Sequence, residues 1–182
     1  MTLTLPKGFK EFYGPNINKM PVILKDKKRS PMSVAEFMKA RLMYGKDYPN
    51  LLDNYSDSSD LVAYSDTSTG KVKFVFATDK EGEITRNGRT ALKLINPKAE
   101  RVNGAVILGD KYEIFEGVEV PVNQLGLLET RLTREQILNS KVWRMLARHP
   151  DEVPAKIAED AQLLPEYVDF TASQREARKW TA

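Results

Sequence analysis

The stretch LVAYSDTSTGKVKFVF, residues 61–76, decides how the middle of this chain folds. An apolar run delivers Asp66 into a Thr/Ser/Gly loop. A second run follows, in which Val72, Phe74 and Phe76 alternate with Lys71, Lys73 and Val75. Period-two alternation marks a half-buried strand, because successive side chains leave the strand on opposite faces. Two meanings compete for the loop. An aspartic protease presents its catalytic acid after an apolar strand, in the triplet Asp-Thr-Gly. Here the triplet is Asp66-Thr67-Ser68, it occurs once, and a homodimer would have to supply the second acid. The turn reading uses every residue: Asp66 bonds backbone N–H groups, Gly70 supplies a left-handed residue, and strands 61–65 and 71–77 pair directly. The stretch is therefore read as a β-hairpin.

Working outward, EITRNGRTALKL places Asn87-Gly88 between two strand-like runs, which suits a type I′ turn. INPKAERVNG interrupts the pattern. AVILGDKYEIFEGVEVPV then supplies two or three more strands, turning at Gly109-Asp110 with a bulge or second turn near Glu116-Gly117. Short turns leave no room for helical crossovers, so the expected sheet is an antiparallel meander of five to seven strands, partly barrel-like in one variant, burying one face against helices. Neither G-x-G-x-x-G nor G-x-x-x-x-G-K-[ST] occurs.

Before the sheet, residues 1–32 carry six Pro and Gly and read as an irregular arm with one apolar run at 21–24. MSVAEFMKARLMYG is a well-signalled helix. Ser33 and Glu36 form a capping box, Met32 and Phe37 a hydrophobic staple, and Gly45 the left-handed stop. Val34, Phe37, Met38 and Leu42 share its apolar face, with Arg41 in the middle. Arg41 either packs its stem or serves as a candidate ligand or anion site. Residues 45–60 read as a loop; Asp53, Asp57 and Asp60 lack the spacing and glycine of a calcium loop.

After the sheet the chain turns helical. Thr133 and Gln136 cap one helix over 134–148, stapled by Leu132 and Ile137 and ending at His149-Pro150. A second helix is expected over 151–164, burying Val153, Ile157, Ala161 and Leu164, and a third stretch runs from Pro165 to Lys179. The fold class is α+β in a single domain: arm 1–32, helix plus antiparallel sheet 33–132, helical region 133–182.

Composition excludes several chemistries. With 41% hydrophobic and 29% charged residues the chain folds as a globular protein. It has no cysteine, which removes disulfides, thiolate metal sites and cysteine nucleophiles, and its one histidine, His149, cannot build a polyhistidine site. Any metal would need oxygen ligands, and neither a metal nor a cofactor is expected. The N-terminus has no signal-peptide pattern and no apolar run approaches a membrane span, so the expected setting is cytoplasmic, with no membrane contact.

On a continuous helix 134–148, Leu138, Val142, Met145 and Leu146 form the core stripe. Arg134, Lys141, Arg144 and Arg148 fall on a neighbouring stripe, and Trp143 points away from the core. That face suits a non-enzymatic interaction module contacting another protein or a second copy of itself, with Trp and Arg as anchors. A nucleic-acid surface using the same edge is the alternative. Arg175, Arg178, Lys179 and Trp180 add a second basic group at the chain end. His149 is expected to cap its helix rather than catalyse. A third reading is a ligand or hydrolytic site between sheet and helices, using Arg41 with Asp66, Asp79 or Glu113.

Overall fold

The computed structural model describes residues 5–10, 12, 16–26, 29–53, 57–65, 70–95, 98–102, 105–128 and 132–179. Strands β1 (Leu61–Tyr64) and β2 (Lys71–Val75) pair antiparallel, with Leu61 opposite Val75 and Ala63 opposite Lys73. Gly70 takes the positive φ of 63° that the hairpin wanted. Asp66 and the loop around it lie outside the described residues.

Beyond this pair the meander does not form. β5 (Val118–Pro121) adds antiparallel to the outer side of β2. β4 (Ala105–Ile107) lies parallel to β1 on its other side, and the two-residue β3 (Arg101–Val102) pairs antiparallel with β4. The result is an open mixed sheet of order β3-β4-β1-β2-β5, without barrel closure. A helix makes the parallel step possible. Asn87-Gly88 is no turn but the first turn of a helix, Arg86–Leu92, whose N-cap Thr85 accepts from the Gly88 N–H at 2.9 Å. Gly88 is there for space: a Cβ on it would collide with the Ala77 backbone just past β2. The expected turn at Gly109-Asp110 instead starts a 3-10 helix, Gly109–Ile114.

Both faces of the sheet are covered, not one. Leu61, Ala63, Val75 and Val106 face a cluster with Ala91, Leu92, Tyr112, Phe115 and Met20. Tyr64, Val72, Phe74 and Val120 face another with Val142, Met145, Leu146, Val153 and Ile157. Each large apolar side chain so buried contributes about 1.5–3 kcal/mol. Lys73, expected on a solvent face, is therefore buried. The supposed irregular arm contains helix α1 (Asn16–Lys25), which buries Met20 and Ile23 although Pro21 lies inside it.

Helix α2 (Val34–Tyr44) carries the predicted capping box: Glu36 N–H donates to Ser33 Oγ (3.1 Å) and Ser33 N–H to Glu36 Oε2 (2.7 Å). Its buried residues are Ala35, Met38 and Ala40, and Gly45 is right-handed rather than left-handed. A short α3 (Asn50–Asp53) follows in the expected loop, and Arg86–Leu92 is α4.

The expected helix 134–148 is two helices, α5 (Arg134–Asn139) and α6 (Lys141–Leu146), parted at Ser140, whose extended backbone (ψ 120°) ends one and caps the other. The break serves two cores. Ile137 and Leu138 of α5 pack against α2 and helix α7 (Leu163–Lys179), while Val142, Met145 and Leu146 of α6 pack on the sheet. No single straight face reaches both. The helix expected over 151–164 is replaced by turns and irregular backbone up to residue 162, with Val153 and Ile157 still buried, and helix begins only at Leu163.

Candidate functional site

The break at Ser140 disperses the predicted basic face. Arg134 is exposed and grips Asp169 of α7 with two donors, Nε to Oδ1 (2.5 Å) and Nη2 to Oδ2 (2.9 Å). Their pairing holds the Asp169 carboxyl below its ordinary value and raises Arg134 above its own. Lys141 is exposed. Arg144 is bound by Asp151 (2.8 Å) and Glu152 (3.3 Å). Trp143 does not stand clear of the core: it is half-buried against the α2–α7 cluster. The residues named as one partner-binding surface are thus brought to different places.

Arg148 departs furthest from expectation. It is fully buried, with a positive φ of 56°. Its guanidinium donates to Asp79 O (2.9 Å) and Thr78 Oγ1 (2.9 Å), reaches Asp60 Oδ1 at 3.4 Å, and lies over the Phe76 ring. Asp60, whose side chain is 2% exposed, also accepts from the Val34 N–H (2.8 Å), which ties the start of α2 to the end of α6. Burial raises the Asp60 carboxyl above its ordinary value, and Arg148 only partly offsets this. This node is structural: every partner is internal.

The residues of the third reading are also engaged. Arg41 donates from Nε to Leu51 O and from Nη1 to Tyr167 Oη, both at 2.7 Å, joining α2, α3 and α7. Asp79 Oδ1 accepts from the N–H groups of Glu81 and Glu83, closing a turn. Glu113 is exposed, 4.0 Å from Lys73 Nζ. Asp57 pairs with Lys19, and His149 Nδ1 accepts from Asp151 N–H (3.2 Å) at the end of its helix. Trp180 and the side chains of Arg175, Arg178 and Lys179 lie outside those described. Among the described residues, no three His, Asp or Glu side chains gather as a metal site requires. Nor is any described helix long and apolar enough to cross a membrane.

A concave site does lie between sheet and helices, built from other residues. It is a cleft of about 470 Å³. Phe76, which continues β2, and Phe115, which follows the 3-10 helix, line it together with Ile157. All three are buried side chains that reach the cleft from the two cores. Lys73 fixes the Phe115 wall: its buried ammonium donates to Tyr112 O (2.8 Å) and Phe115 O (3.2 Å) and sits over the Tyr112 ring. Burial, together with Glu119 and Glu113, pushes the Tyr112 phenol above its ordinary value.

The rim is polar. Thr85, Arg86, Asn87 and Thr90 of the α4 turn form one wall, Ile114 to Gly117 a second, and the Pro154–Ile157 turn a third. Glu116 joins them. Its carbonyl accepts from Asn87 Nδ2 (3.4 Å), and its carboxylate pairs with Lys156. Arg86 is exposed, and its guanidinium forms no hydrogen bond or ion pair with the described residues. Both threonine hydroxyls already donate, Thr85 to Ala77 O and Thr90 to Arg86 O, and the one lining carboxylate is paired. The arrangement offers apolar contact and charge.

Sequence reasoning missed these residues because Asn87-Gly88 read as a turn. The available signal was Thr85, an N-cap residue type three positions before Gly88. Comparison with protein-family models, with curated proteins and with solved structures returns no match.

Proposed function

We propose that this chain is a small-ligand-binding module whose site is the cleft over Phe76, Phe115 and Ile157. The observation that carries the reading is the combination of a buried aromatic floor with a charged rim in a volume of about 470 Å³, the size and chemistry of small-molecule sites. The reading is binding rather than catalysis, because the lining hydroxyls and the carboxylate are already engaged.

The test is a titration of the isotopically labelled protein with small aromatic and aliphatic compounds, cationic, anionic and neutral, followed by amide chemical shifts. Shifts concentrated at 85–90, 114–117 and 154–157, and abolished by filling the cleft with Thr90→Trp, support the reading. Thr90 is exposed, so the larger ring has no core to disrupt. No shifts in these segments with any compound would overturn it.

Contact with a protein partner, a second copy or nucleic acid through residues 134–148 would have to use Lys141, with Arg134 first released from Asp169, since Arg148 is buried and Arg144 is paired with Asp151 and Glu152. Light scattering and a low-salt mobility-shift titration test that reading; salt-sensitive binding lost in Lys141→Gln supports it.

A further inference from the structure

Resting on the cleft as a ligand site, we infer that it selects a small organic carboxylate with an apolar body, and that the Glu116–Lys156 ion pair is a latch the ligand's carboxylate replaces. The rim sets two cations, Arg86 and Lys156, against one carboxylate, Glu116. The surplus charge is therefore positive, and it sits beside a floor of two aromatic rings and Ile157. A planar carboxylate matches the fork of the Arg86 guanidinium, which is held by none of the described side chains.

The latch is cheap to open. Lys156 and Glu116 are 63% and 70% exposed, and ion pairs so exposed to solvent hold weakly. A ligand carboxylate at Lys156 exchanges one anion for another. It does so with its body seated on Phe76 and Phe115, apolar contact that a carboxylate exchanging alone would not add. A cationic ligand finds only Glu116, already satisfied. A neutral one gains the floor but neither cation.

The experiment compares 3-phenylpropionate with 3-phenylpropanamide, of the same shape and without the charge, by amide-shift titration on the full chain. The wild type is expected to bind the carboxylate about tenfold more tightly than the amide, the usual scale of a charge-assisted pair at a partly solvated site. Arg86→Gln is expected to erase that preference, and Glu116→Gln, which frees Lys156, to raise carboxylate affinity about threefold. Lys46→Gln, an exposed cation away from the cleft, serves as the charge control and keeps the preference. Equal binding of the two probes to the wild type overturns the inference while leaving the cleft as a ligand site. So does a preference that survives Arg86→Gln, or a carboxylate affinity that Glu116→Gln fails to raise. Failure of both probes to shift the cleft amides removes the site and the inference together.

Discussion

Replacing Arg148 by methionine tests the buried node most directly. The guanidinium is fully buried and donates to Asp79 O and Thr78 Oγ1, with Asp60 Oδ1 at 3.4 Å. Methionine fills much of the volume but leaves the Asp60 carboxylate, itself 2% exposed, without its counter-charge. Removing one partner of a buried pair costs about 3–5 kcal/mol, mostly because the other charge is stranded. Against a typical total of roughly 5–15 kcal/mol this is a large share, and at about 2–4 °C per kcal/mol it lowers the melting midpoint on the order of 10 °C. Urea melts of the wild type, Arg148→Met, Asp60→Asn and the double variant close the cycle. The Asp60→Asn change removes the stranded charge while keeping an acceptor for the Val34 N–H, so the double variant should be at least about 1 kcal/mol more stable than additivity allows. A loss below about 1 kcal/mol in Arg148→Met, or an additive cycle, would refute the node as described.

Three further outcomes follow from the same geometry. Burial raises the Asp60 carboxyl above 3.8, so the native state binds that proton more tightly than the unfolded chain. Wild-type stability relative to Asp60→Asn should therefore fall as pH rises from 3.8 through the raised value and level off above it; a flat difference across that range in urea melts contradicts this. Gly88→Ala should cost about 1–3 kcal/mol through collision with the Ala77 backbone, despite the better helix propensity of alanine, and a stabilised variant would contradict the close approach. Lys73→Met should cost roughly 1–3 kcal/mol and speed amide exchange over 109–116, because the Tyr112 and Phe115 carbonyls lose their donor; unchanged exchange there would mean that Lys73 does not hold the wall.

Where local chemistry carries its own signal, sequence and structure agree. The Ser33–Glu36 and Thr133–Gln136 capping boxes form as read, because both partners lie within one turn. Strands β1 and β2 pair as the alternation indicated. The candidate site was far less legible. Arg148 and Lys73 look like surface cations in a string of residues, and both are buried because distant segments close over them. Arg148 is enclosed by residues 60 and 76–79, and Lys73 by the carbonyls of residues 112 and 115. One basic face requires a continuous helix over 134–148, and Ser140 ends it.

By itself, then, the sequence determined the mixed helix and strand content, the capped helix starts, the central hairpin pairing and the exclusion of cysteine chemistry, all properties of neighbours along the chain or of composition. Only the tertiary structure decided the parallel β1–β4 pairing, the covering of both sheet faces, the burial of Arg148 and the cleft lined by Phe76, Phe115 and Ile157. Each depends on which segments far apart in sequence share a core. The helix penalty of a glycine such as Gly88 is about 1 kcal/mol, less than the burial of a single large apolar side chain contributes, so packing outweighed local preference.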